Sequence, residues 1–233
     1  VTNIGDTDTD AVWDRSATHT APVTLIGAHI RLDPLSPADV PALAASVADG
    51  DLGDIWYAPN PRPAEMDAFV AGRLAQRDAG TWAPFVVRAL PDSPSLAGRD
   101  LSPLVADDLG TVVGLTNYLN IAREDRHVEI GGTWYAASAQ RSAVNTEAKL
   151  LMLGRAFDAL GCVRVELRTH LSNERSQAAI SRLGAIREGV LRRHKLMPDG
   201  RFRDTVVFAI LDTEWPDVRA RLASRLARGH TRP

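Results

Sequence analysis

Two junctions where a strand gives way to a helix, about thirty residues apart, constrain this chain more than any other feature. At the second, the β-branched run Val163-Arg164-Val165-Glu166-Leu167-Arg168 reads as a strand. Asn173-Glu174-Arg175-Ser176 then opens a helix over 174–183 that closes on Arg182-Leu183-Gly184-Ala185, with Gly184 fitting its end. At the first, a strand over 127–135 leads into Gln140-Arg141-Ser142-Ala143-Val144-Asn145-Thr146-Glu147-Ala148-Lys149. A helix over 145–160 follows, with Ala148, Leu151, Met152 and Phe157 along an apolar stripe and Gly161 in the position after its end. The N–H groups at the start of a helix have no intrahelical acceptor, and the helix dipole adds partial positive charge there. Both junctions are therefore suited to an anionic or polar ligand.

The rest of the chain supplies a sheet for them to stand on. Strands are expected over 23–32, 82–90, 111–120, 190–197 and 205–211. Helices are expected from Ser36-Pro37-Ala38-Asp39 into Val47, over 64–76, and at the basic C-terminus over 215–228. Pro198-Asp199-Gly200 reads as a turn between the last two strands. The Pro/Ser/Asp/Gly-rich stretch 91–108 is expected to be a long hairpin connection and carries no assigned role. With the order β, α, α, β, β, β, α, β, α, β, β, the economical solution is an α/β (α+β) fold, a mixed sheet of about seven strands flanked by helices. The expected organisation is a mobile tail at 1–20, a main domain at 21–216, and a basic helix and tail at 217–233.

Composition excludes several classes of function. The single cysteine, Cys162, rules out an intrachain disulfide and a cysteine metal cluster; after Gly161 and before Val163 it reads as a buried small hydrophobe. No apolar run reaches the ~18 residues of a membrane span, and the acidic, polar start is unlike a secretory signal. A cytoplasmic protein that meets no membrane is the default. The net charge of −2 hides an asymmetry: residues 1–120 carry −9 and residues 121–233 carry +7. A basic half can hold a polyanion, but no aromatic-interleaved basic patch or recognition helix points to nucleic acid.

Several side chains stand where chemistry can use them. In His127-Val128-Glu129-Ile130-Gly131, strand alternation puts Glu129 and His127 on one face and Val128 and Ile130 on the other. A carboxylate there can take a proton from an amine, which is an ammonium at neutral pH; His127 is a second candidate, and a solvent-facing or Arg-paired Glu129 is the structural alternative. Asn173 has both donor and acceptor, and Ser176 a hydroxyl, although both also suit a plain helix start. Trp56-Tyr57, Trp82 and Arg192-Arg193-His194-Lys195 are candidates for an acceptor pocket.

Together the Gln140 loop, the Asn173 segment and the element order over about 23–215 resemble the acyl-coenzyme A-dependent N-acetyltransferases of the GNAT superfamily. The resemblance is closest to the branch that acetylates ribosomal-protein N-termini, the RimJ/RimL-like enzymes. It implies that the loop, of the form Gln/Arg-x-x-Gly-x-Gly/Ala in the family and Gln140-x-x-Ala143-x-Asn145 here, cradles the pyrophosphate of acetyl-CoA. Ala143 costs about 1 kcal/mol if its position needs a positive φ and nothing if it does not. The implied cofactor-binding set is Trp134, Tyr135, Gln140, Arg141, Ser142, Ala143, Val144, Asn145, Thr146, Asn173 and Ser176. The implied catalytic set is Glu129 as base, the Tyr135 N–H as oxyanion donor and Ser176 beside the leaving thiolate. No metal is needed. Acetyl would pass directly, within a ternary complex, to a primary amine, either a protein N-terminus or a small amine. The alternative is a non-catalytic acyl-CoA-binding module, and a homodimer through the last strands or the C-terminal helix stays open.

Overall fold

The computed structural model describes residues 21–50, 52–58, 60–197 and 199–228. The tail expected at 1–20, Pro198 of the expected turn and residues 229–233 lie outside them. One mixed sheet runs through the described residues in the order β1-β2-β3-β5-β6-β7-β9-β8, with β4 beside β5. Its strands are β1 (Leu25–Ile26), β2 (Ile30–Pro34), β3 (Ala83–Ala89), β4 (Ala106–Asp107), β5 (Gly110–Ala122), β6 (His127–Tyr135), β7 (Arg164–His170), β8 (Ile186–Leu196) and β9 (Phe202–Leu211). The helices are α1 (Val40–Ala48), α2 (Met66–Asp78), α3 (Val144–Gly154), α4 (Glu174–Leu183) and α5 (Trp215–Ala227).

The mixed sheet flanked by helices is as expected, with nine strands among the described residues against about seven, for local reasons. The single strand expected over 23–32 is a tight hairpin, because the chain reverses at Gly27 and its N–H donates to Ile30 O at 2.9 Å. The 91–108 stretch does connect β3 to β5 as a hairpin, but it contributes the two-residue β4 on the way. β8 starts four residues earlier than its apolar pattern suggested, since both faces of this edge strand are largely exposed and the pattern is diluted.

The core has two layers. On one face α3, α4 and α5 cover the sheet; Val128, Ile130, Val165 and Leu167 meet Met152, Leu153, Ile180 and Leu183 there. Cys162 is buried in the same cluster, and burial pushes its thiol up to about 12. On the other face α1 and α2 pack Leu43, Val47, Met66 and Val70 against Val86, Leu115 and Trp134. The C-terminal helix joins the first layer: Trp215 stacks on Phe157 with centroids 5.5 Å apart, and Val218 and Leu222 are buried in that core. The α3 helix continues through a π-helical turn, Arg155–Ala159, and the chain turns away at Gly161 with φ +61°.

The sheet contains one parallel pair, and it is short. β6 and β7 match only through His127 with Arg164, Val128 with Val165 and Glu129 with Glu166. Beyond that point β6 stays with β5 as far as Tyr135, and β7 stays with β9 as far as His170. The two strands therefore part into an open wedge. A bulge in β6 marks the parting: between the pairs Asn117–Gly131 and Leu115–Trp134, β6 uses one more residue than β5. Gly132 makes the bulge feasible. Its φ is +56°, and a Cβ there would lie 2.8 Å from Asn117 Nδ2.

A buried carboxylate ties α3 to the first hairpin. Glu147 accepts from the N–H groups of Ala28 (2.7 Å), His29 (2.7 Å) and Ile30 (2.9 Å). These are charge-assisted bonds to donors that otherwise lack partners. Glu147→Ala is expected to cost about 3 kcal/mol of stability, from unsatisfied buried N–H groups and a cavity, measured by urea unfolding.

Candidate active site

Glu129 stands on the last matched pair, at the closed end of the wedge. Its neighbours Val128 and Ile130 face the α3 layer, so Glu129 faces the opposite side. It is buried, with 6 % exposure. Asn120 Nδ2 donates to its Oε2 at 2.7 Å, and Arg168 Nε lies 3.5 Å from the same oxygen. Burial raises its pKa above the ordinary carboxylate value; Arg168, the Asn120 hydrogen bond and Lys195 oppose the shift without cancelling it. A raised carboxyl in a cleft is a candidate general base. His127 shares the face, but its Nε2 lies 3.6 Å from Glu166 Oε1 and burial lowers its pKa. Glu166 is held below the usual range: burial alone would raise it, but hydrogen bonds from Arg164 and Arg168 prevail.

The mouth of the wedge is bridged by one glutamine. Gln140 Nε2 donates to Tyr135 O at 2.9 Å, while Arg175, on the first turn of α4, donates to Gln140 Oε1. The end of β6 and the helix after β7 are thereby linked. Asn173 caps α4 through Oδ1, which accepts from Ser176 N at 3.0 Å. Its capping role occupies the oxygen and leaves the Nδ2 donors for other use. Ser176 is half-buried on the first turn.

The two aromatic residues assigned to the cofactor set behave differently from each other. Trp134 packs its ring into the α1–α2 core, away from the wedge. Tyr135 packs against the α3 layer, and its hydroxyl is sealed without a partner among the described residues, so burial raises its pKa far above the usual value. What Tyr135 brings to the wedge is backbone. Ala136 N–H turns to Val113 O of β5 at 2.8 Å, so strand alternation turns the Tyr135 N–H the other way, into the gap. The same alternation puts the Thr133 N–H on that edge. Sequence reading did not single out Thr133, because the bulge that aims it is invisible in one strand alone.

The loop before α3 resolves the question posed by Ala143. Its φ is −69° and ψ −17°, the right-handed helical region, so no glycine is required there. The positive φ falls instead on Arg141, at +55°. Ser142 is buried and donates to Ala139 O at 2.6 Å, and Val144 N–H reaches Ser142 Oγ at 3.3 Å. The first-turn amides of Asn145 and Thr146 have no intrahelical acceptor. The carbonyl side of this loop is gripped from outside: Arg99 donates to Ser138 O (2.6 Å), Gln140 O (3.0 Å) and Arg141 O (3.0 Å). With its carbonyls held by one guanidinium, the loop is left to present N–H groups and positive charge. Arg99 lies in the 91–108 connection, where no periodicity signals a role. Lys149, whose Nζ donates to Thr133 Oγ1, is another residue that sequence reading did not single out. It was traceable, because it lies three residues before the core residue Met152, on the apolar stripe of α3.

The other candidates stand in separate places. Trp56 and Tyr57 pack on His170 at the end of β7, with centroids 5.0 and 5.9 Å away, and Arg201 lies 4.3 Å over the Trp56 ring. Burial, then Arg203, lowers the His170 pKa. Trp82 lies under Arg73 at 4.2 Å. Arg192-Arg193-His194 form a bulge in the edge strand β8, where Arg193 has φ +48° and its N–H donates to Asp204 Oδ1 at 2.6 Å.

Because residue 143 sits in a helical conformation, Ala143→Gly is expected to destabilise the fold by about 0.5–1 kcal/mol. A left-handed site would give the opposite sign. Thermal unfolding of the two proteins decides it.

Comparison with known proteins agrees with this geometry. Residues 29–186 match the family model described as acetyltransferase (GNAT) domain. The chain is 30% identical over 106 residues to the "Putative ribosomal N-acetyltransferase YdaF" of Bacillus subtilis (strain 168). That match covers 46% of this chain and spans 57% of the relative's length. Among solved structures, a GCN5-related N-acetyltransferase from Brucella melitensis is similar at 27% identity and TM-score 0.70, covering 87% of this chain and 84% of that one. RimJ of Mycobacterium smegmatis, in complex with CoA-disulfide, shares the fold at 23% identity and TM-score 0.68, covering 88% and 95%. A sheet that opens beside a buried carboxylate, an arginine-held loop at a helix start and a family model spanning both junctions lead to one assignment: the chain belongs to the GNAT acetyltransferase family.

Proposed function

We propose that this protein transfers acetyl from acetyl-CoA to a primary amine, directly and within a ternary complex. The observation that carries the reading is the wedge itself, with a buried carboxylate at its closed end and a helix-start loop at its mouth. In this reading the pyrophosphate lies on the amides and charges of the 140–146 loop, and the pantetheine arm runs between β6 and β7, past Asn173. Glu129 accepts the amine proton, directly or through water, and the amine nitrogen attacks the thioester carbon. The C–S bond then breaks, with the Ser176 hydroxyl donating a hydrogen bond to the departing sulfur. Distance along β6 sorts the two gap-facing amides. At about 3.3 Å per residue, the Tyr135 N–H lies ~20 Å from Glu129, too far for one base to serve an amine attacking a carbonyl held there. Thr133 lies ~13 Å away before the bulge shortens the path. We assign the oxyanion to the Thr133 N–H and a pantetheine contact to Tyr135.

For the acceptor we propose a protein or peptide α-amino group with an acidic group nearby. Arg168, Lys195 and Arg203 all act on Glu129 electrostatically, and the Arg203 Nε is sealed from solvent without a partner among the described residues. That surround repels a polyamine and attracts a carboxylate. The name of the Bacillus subtilis relative supports a ribosomal-protein substrate. The helical φ of Ala143 leaves the loop amides available to a phosphate and so favours the catalytic reading over a non-catalytic acyl-CoA-binding module.

Calorimetry should show acetyl-CoA binding at one site per chain; no binding to a folded sample at millimolar concentration would end this reading. Arg99→Ala should weaken that binding about tenfold, roughly 1.4 kcal/mol, with Arg99→Lys failing to restore it because an ammonium cannot span three carbonyls. Glu129→Gln should lower kcat/KM by about 10²–10³ at neutral pH. The wild-type rate should fall as pH drops through a value above the ordinary carboxylate pKa, because the base must be ionised and burial raises it; an unchanged rate in Glu129→Gln would remove Glu129 as base. Acidic N-terminal peptides should outcompete spermidine as acceptors, with a preference that weakens as salt rises.

A further inference from the structure

Lys149 lies in the second turn of α3 and is buried, with 5 % exposure. Its Nζ donates to Thr133 Oγ1 on β6 at 3.0 Å and to Thr116 Oγ1 on β5 at 3.3 Å. The two hydroxyls are 2.7 Å apart, and Thr116 also reaches Met152 Sδ at 3.5 Å. No carboxylate among the described residues pairs with this lysine. Glu147, two residues before it, turns instead to the backbone of Ala28, His29 and Ile30. The nearby phenol of Tyr118 donates to Met152 O. Burial is the single influence on the Lys149 pKa and brings it down to about 7.

An ammonium facing only two neutral hydroxyls is a costly core residue. Above pH ~10.5 the amine is neutral in the folded and unfolded chain alike and costs nothing. As pH falls from there to about 7, the unfolded chain binds the proton and the folded one does not, so stability declines; below about 7 the full cost persists. A methionine of similar length would fill the site without this cost. Stability therefore does not explain the lysine, but its position does. Thr133 sits at the β6 bulge, and its N–H faces the wedge.

We propose that Lys149 is the positioning residue of the acyl site: through Thr133 it fixes the β6 bulge that presents the Thr133 N–H to the thioester carbonyl, and its ammonium stands behind the oxyanion that forms there. This rests on the transferase reading above. A charge beneath the strand, in a medium of low dielectric, acts on the developing oxyanion far more strongly than it would in water. The forming oxyanion in turn favours the protonated lysine.

The test uses Lys149→Met and Thr133→Val, with acetyl-CoA labelled with ¹³C at the carbonyl. In the wild type, infrared difference spectra should show the carbonyl stretch of bound acetyl-CoA moved to lower frequency than in free acetyl-CoA. Lys149→Met should bind acetyl-CoA within about two-fold of wild type, since the pyrophosphate loop is untouched, yet return the carbonyl band toward its free position. Its kcat should fall about tenfold or more with KM for acetyl-CoA kept. Its Tm at pH 7 should rise, by a margin that narrows toward pH 10. Thr133→Val should reproduce the spectral change without the gain in Tm, and is the independent probe if Lys149→Met does not fold; the double variant should be no worse than Lys149→Met. A wild-type-like carbonyl band and kcat in both single variants would overturn the proposal while leaving the transferase reading intact. Absence of acetyl-CoA binding by the wild type would sink both.

Discussion

β6 and β7 hold each other through three residue pairs and then part, and the site follows from that parting. A sheet normally keeps its strands together because every unpaired N–H and C=O left away from water is costly. Here the cost is limited by keeping each strand bound on its other side, β6 to β5 and β7 to β9, until the ends of both. The edges that face the gap thus become a lined slot of donors and acceptors at the centre of the molecule. The bulge at Gly132 starts the divergence, and the Gln140–Arg175 contact bridges its far end.

The slot is useful only if α3 is placed accurately against it, and several buried polar contacts do that. Glu147 ties the helix to the first hairpin, Lys149 ties it to β5 and β6, and Arg99 holds the carbonyl side of the loop that leads into it. Apolar packing alone would let a helix slide by a fraction of a turn at small cost. Directional hydrogen bonds in a low-dielectric interior do not. Glu147 adds stability and position together. Lys149, buried without a carboxylate partner among the described residues, holds β5 and β6 through two threonine hydroxyls at a cost in stability.

Much of the frame was legible in the residue pattern. Period-two runs located β6, β7 and β9, helical spacing located α2, α3 and α4, and glycines marked the ends of α4 and of the turn that follows α3, where Gly184 and Gly161 take positive φ. Glu129 could be placed on a face because alternation is a local rule. The split first hairpin, the long β8 and the two-residue β4 were not legible, since each depends on partners distant in sequence or on an edge exposed on both faces. Arg99 had no local signal at all. Lys149 had one, a lysine on an apolar helix stripe, whose meaning appears only when Thr116 and Thr133 are seen against it.

The sequence by itself determined the family-like order of elements, the two strand-to-helix junctions and the residue types that line them, because these are written in periods of two and 3.6 residues and in the preferences of helix ends. The tertiary structure alone decided that β6 and β7 separate after Glu129, that Ala143 needs no glycine because the positive φ falls on Arg141, and that an arginine from an unpatterned loop and a lysine from the α3 core both bond to the segments around that helix start. Those outcomes depend on hydrogen bonds and burial between residues far apart in the chain, and such contacts leave no periodic trace in any one segment.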